Sequence, residues 1–100
     1  MKRMLSGIKP TGQLTLGNYI GALSQFVSYQ DECEMIAFIA NLHCITVYQD
    51  PKDLRKNLKD AVALYLAAGL DPNKSTIFLQ TDVKAHAQLG YIMACNTYLG

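Results

Sequence analysis

The residues best suited to chemistry lie between Gly7 and Asn18, in the run Gly7-Ile-Lys-Pro-Thr-Gly-Gln-Leu-Thr-Leu-Gly-Asn18. Glycines, a proline and small polar side chains stand where a short apolar strand gives way to a helix-like pattern. The first turn of a helix leaves backbone N–H groups unpaired and carries partial positive charge, and glycine lets a bulky anion approach the backbone closely. A strand, a Gly-rich loop and a helix in that order can seat a phosphate or a nucleotide. The same residues also fit an ordinary turn with a helix cap. Neither common nucleotide fingerprint is present. Gly7 and Gly12 have the P-loop spacing, but Gln13-Leu14 stands where Lys-Ser/Thr is required, and no G-x-G-x-x-G occurs.

His43 is the second candidate. It follows the apolar run Met35-Ile-Ala-Phe-Ile-Ala40. On residue type alone it is either a hydrogen-bonded structural histidine or a wall of a site, and His86, near a helix start, is a structural residue. Cys33, Cys44 and Cys95 are odd in number and widely spaced. With no C-x-x-C and no second Cys/His pair they form no zinc pattern, and reduced thiols are the simplest account.

These residues need a frame. Arg3 to Ser6 reads as a first strand, 35–40 as a second and Thr76-Ile-Phe-Leu-Gln80 as a third. The unbroken apolarity of 35–40 predicts a strand covered on both faces. Helical spacing places helices near 17–29, 51–68 and 86–99. The middle helix starts at Asp50-Pro51, an N-cap followed by proline at the first helical position, and stops at Gly69. Gly17 and Gly21 read as a close helix contact. Tyr19, Tyr48, Tyr65 and Tyr91 read as core or interface residues. The order β-α-β-α-β-α predicts an α/β fold with a parallel, Rossmann-like sheet. Ligands of such sheets bind beyond the carboxyl ends of the strands, so the 7–18 loop and His43 should share one edge.

Half of the 100 residues are apolar, enough for a core. Nine basic against eight acidic residues give a net charge of +1, with no basic patch that points to nucleic acid. The mixed charges at 50–60 read as a solvated helix face. Lys2 and Arg3 are not followed by a signal-peptide apolar region, and no run approaches the roughly 18 apolar residues of a membrane span. From Ala85 to Gly100 there is no Asp, Glu, Lys or Arg. A soluble domain rarely finishes so, and the chain reads as the N-terminal piece of a longer one, with its last helix at a subunit interface.

Thr15-Leu-Gly-Asn18 resembles the "HIGH" signature of class I aminoacyl-tRNA synthetases, with Thr15 and Asn18 where many members have histidines. Ser6-Gly-Ile-Lys-Pro-Thr-Gly12, Gly17-Asn-Tyr-Ile-Gly-Ala-Leu23, Asn41-Leu-His-Cys-Ile-Thr46, Gln49-Asp-Pro51 with Leu54-Arg55, and Ala85-His-Ala-Gln88 resemble the tryptophan-specific family within that class. The resemblance runs along nearly the whole chain. It implies activation of L-tryptophan by ATP with Mg²⁺, transfer to tRNA(Trp), and a cytoplasmic homodimer. Thr15 and Asn18 would be the catalytic hydrogen-bonders. Lys9, Pro10, Thr11, Gly17 and Asn18 would hold the nucleotide, and Leu5, Gly7 and His43 would line the tryptophan pocket. No protein metal site is implied. Two rivals stand beside it: a tyrosine enzyme or other adenylate-forming nucleotidyltransferase of the same fold, and a non-enzymatic nucleotide-binding module.

Overall fold

Residues 34–39 alternate in burial in a way that sets the architecture. Met35, Ala37 and Ile39 are wholly inaccessible, while Ile36 and Phe38 between them are half-buried. The computed structural model describes residues 1–10 and 19–99. In it this segment is β2 (Glu34–Ile39), the central strand of a three-stranded parallel sheet ordered β1 (Arg3–Ile8), β2, β3 (Thr76–Leu79). Arg3 to Ile8 pair in register with Glu34 to Ile39, and Ile36 to Ile39 with Thr76 to Leu79.

Side chains alternate across a strand, so one face of the sheet carries Met4, Ile8, Met35, Ala37, Ile39, Ile77 and Leu79. Two helices close that face. A π-helical turn (Tyr19–Leu23) runs into α1 (Ser24–Tyr29), contributing Leu23 and Phe26, and α3 (Pro51–Ala68) contributes Ala61 and Tyr65. The Phe26 and Tyr65 rings meet at 6.1 Å. Tyr65 is wholly buried, and its hydroxyl donates to the Phe38 carbonyl at 2.9 Å. Burial of this phenol pushes its pKa well up, with the Ile8 backbone pulling the other way.

The opposite face is less covered than the apolar run of β2 predicts. Leu5 lies there more than half exposed. Phe38 and Phe78 stack at 5.6 Å, and His86, from α4 (Lys84–Cys95), meets both rings edge-on at 6.0 and 5.7 Å. His86 is a packing residue here. A single cover of aromatic rings explains why Ile36 and Phe38 stop at half-burial.

The α/β, parallel, Rossmann-like class expected from the sequence is the one observed. The helix at Pro51–Ala68 has its Asp50 cap accepting from the Lys52 N–H at 2.8 Å, and Gly69 closes it in the left-handed region at φ 114°. Three bounds differ by two residues or more. β1 runs on through Gly7 and Ile8, because the parallel ladder to Phe38 and Ile39 carries it past the expected stop at Ser6. The last helix starts at Lys84 and ends at Cys95 rather than running to 99. Beyond it, Asn96 and Thr97 turn their side chains back onto the carbonyls of Ile92 and Met93. Two short elements have no counterpart in the pattern reading: α2 (Asn41–Cys44) and a 3-10 turn (Gln80–Asp82).

Candidate active site

Each strand ends on a polar connection at the carboxyl edge of the sheet. β1 leads to Lys9 and Pro10, β2 to α2, and β3 to the 3-10 turn. Ligands of parallel sheets collect at that edge, and here side chains tie the three connections together. The Asn41 amide donates to Thr81 Oγ1 at 2.8 Å, and its Oδ1 accepts from the Thr81 N–H at 3.2 Å. The Cys44 thiol donates to the Pro10 carbonyl at 3.7 Å and approaches that of Ala40 at 3.9 Å. Burial raises the Cys44 pKa while the Lys9 ammonium opposes it. The buried thiol serves here as a hydrogen-bond donor.

His43 sits between these two anchors and is exposed. Its N–H donates to the Ala40 carbonyl and its own carbonyl accepts from Thr46 Oγ1, both backbone contacts that leave the imidazole to face solvent. Pro10 is wholly buried and Lys9 half-buried beside it. Leu5 and Gly7 share the open face of β1. A Cβ on Gly7 would stand 2.7 Å from the Phe38 carbonyl oxygen and 2.8 Å from its ring, so only glycine fits there. The Phe38 ring thus occupies the space that a side chain at position 7 would fill. Thr11, Thr15, Gly17 and Asn18 lie outside the described residues. Among the described residues no three His, Cys, Asp or Glu side chains gather as a metal site.

Asn41, Cys44 and Thr81 carry no role in the sequence reading. One signal was available: Asn41 is a polar residue closing a buried strand, and such a group must find a partner.

The whole chain, residues 1–100, matches the model of the tRNA synthetases class I (W and Y) family. The chain belongs to that family. A tryptophan–tRNA ligase of Listeria monocytogenes is 56% identical over 101 residues, covering 100% of this chain and 30% of its own length. One from Caldanaerobacter subterraneus is 48% identical over 100 residues, covering 100% of this chain and 31% of its own. This class I synthetase chain therefore spans about a third of the relatives it matches. Among solved structures, tryptophanyl-tRNA synthetase of Mycoplasma pneumoniae superposes with a TM-score of 0.96 at 43% identity, over 100% of this chain and 30% of that one. The Campylobacter jejuni enzyme complexed with ADP and tryptophan gives 0.87 at 43%, over 96% and 30%. The tied carboxyl edge is thus the edge of a class I synthetase sheet.

Proposed function

We propose that this chain is the N-terminal part of the catalytic domain of a tryptophan–tRNA ligase. The observation that carries the reading is the match of nearly all of this chain, in sequence and fold, to about a third of the length of proteins of that name, one of them in a structure complexed with ADP and tryptophan. In the intact protein the tryptophan carboxylate attacks the α-phosphorus of ATP in line. The bond to the β-phosphate breaks, pyrophosphate leaves, and tryptophanyl-adenylate forms. A ribose hydroxyl at the 3′ end of tRNA(Trp) then attacks the acyl carbon and AMP departs.

In phosphoryl transfer the protein acts by positioning and by electrostatics. Lys9, Pro10, Thr11 and Gly17 border the nucleotide, and Thr15 and Asn18 donate hydrogen bonds to phosphate oxygens as charge develops. His43, with Leu5 and Gly7 on the open face of β1, lines the tryptophan side. Mg²⁺ neutralises phosphate charge and enters with ATP. Tyrosine activation is the weaker alternative, because the matched relatives carry the tryptophan name.

Among the described residues no helix is long and apolar enough to cross a membrane. A cytoplasmic homodimer fits the family. Exposed Leu89, Tyr91, Ile92 and Met93 on α4 support an interface there. Pyrophosphate exchange by the intact protein tests the reading. Exchange should depend on tryptophan and not on tyrosine, and exchange supported by tyrosine instead would overturn it.

A further inference from the structure

The helix that carries His43 is too short to hold itself. α2 has four residues, and an isolated helix of that length has no stability of its own in water. Its orientation is set from outside. Asn41 is 9% exposed, and its amide engages Thr81 through both of its polar atoms. Cys44, at the other end and wholly buried, is held by the weaker thiol contact to Pro10. A two-point amide bond fixes rotation as well as distance, whereas a single long thiol contact does not. Of the two anchors Asn41 is therefore the one that aims the helix, and His43 is the exposed residue between them.

We propose that Asn41 is a positioning residue that sets the tryptophan side of the site by locking α2, and with it His43, to Thr81 after β3. This rests on the reading of His43 as a wall of the tryptophan pocket. Asn41 touches no substrate in this account and acts only through the helix. Its loss should weaken tryptophan recognition more than ATP recognition, since the nucleotide residues lie on the β1 connection.

The carboxylate of Asn41→Asp can accept from both the Thr81 N–H and its hydroxyl, so this variant preserves the two-point bond. Asn41→Ala removes it. Thr81→Val removes half, since the backbone N–H remains. In the intact protein, pyrophosphate exchange is followed against tryptophan and against ATP for these variants, with thermal melting of each. Asn41→Ala should raise the KM for tryptophan about tenfold or more, as small misplacements of binding groups do. The KM for ATP should move less, and Asn41→Asp should stay near wild type. Thr81→Val should shift the tryptophan KM in the same direction by less, which keeps the test open if Asn41→Ala does not fold. A lowered melting temperature with an unchanged tryptophan KM in Asn41→Ala would overturn the proposal, as would an Asp variant as impaired as the Ala one. His43→Ala separates the two levels. If it raises the tryptophan KM while Asn41→Ala does not, only the positioning role falls. If it leaves that KM unchanged, the pocket reading falls and the positioning role with it.

Discussion

The two edges of the sheet use the same device to different ends. At the amino edge the Gln30 side chain accepts from the Asp71 N–H at 2.9 Å and the Ser75 hydroxyl at 3.3 Å, and donates to the Gly69 carbonyl at 2.9 Å. One amide thereby closes the whole turn between α3 and β3. The Lys74–Asp31 and Arg3–Glu34 pairs add bonds of 2.8 and 2.7 Å around it. Such exposed ion pairs are worth little. At the carboxyl edge Asn41 also bridges two connections, but what it holds is a helix of four residues that leaves His43 exposed. An amide that closes a turn serves the fold. An amide that orients an element too short to orient itself serves whatever that element presents.

The largest expected effect falls on the loop proposed to hold the nucleotide. Asn18→Ala in the intact protein should slow adenylate formation by about 10²–10³, roughly 2.7–4 kcal/mol, the usual result of deleting a donor aimed at developing charge. The loss should appear mainly in kcat rather than in the KM for ATP. Single-turnover adenylate formation checks it. A fallen melting temperature with a near-normal rate would make Asn18 a helix cap and no more.

Gln30→Ala is the matching change at the amino edge. It strands the Asp71 N–H and the Ser75 hydroxyl, and should destabilise by about 1–3 kcal/mol, read from denaturant unfolding. Both KM values should stay at wild type. A raised tryptophan KM would mean that the two edges do not divide the labour as described.

The smallest effect concerns Tyr65, which spans the core between the edges. Tyr65→Phe loses one hydrogen bond, about 1 kcal/mol. In the wild type the folded state holds the phenol proton more tightly than the unfolded chain, whose pKa is near the ordinary 10.0. The stability this group contributes is complete below that value and is lost as pH rises through it toward the higher folded one. Unfolding free energy should therefore fall more steeply with pH above about 10 in wild type than in Tyr65→Phe. Equal slopes would show that Tyr65 ionises as freely folded as unfolded.

The strands and the long helix were legible because period and punctuation agree. Asp50-Pro51 and Gly69 bracket α3, and the apolar run of β2 announces a central strand. α2 was not legible, since four residues carry no period and its helicity comes from contacts with Thr81 and Pro10 that lie about forty and thirty-four residues away. The half-open face of the sheet was hidden for a related reason. A run such as Met35-Ile-Ala-Phe-Ile reads alike whether helices or stacked rings cover its second side, and the ring stack depends on Gly7 leaving room for Phe38. Of the candidate site, Lys9, Pro10 and His43 were placed on their shared edge by strand order alone. The side chains that anchor that edge were missed because hydrogen-bond partners distant in sequence leave no local trace.

Hydrogen exchange of the intact protein, with and without tryptophan and a non-hydrolysable ATP analogue, tests the division between the edges most directly. Amides of 7–18 and 41–44 should gain protection when both ligands are added, while those of 30–34 and 69–75 should exchange at the same rate as in the free protein. Protection centred on 69–75, or none at 41–44, would contradict the assignment of the carboxyl edge as the site.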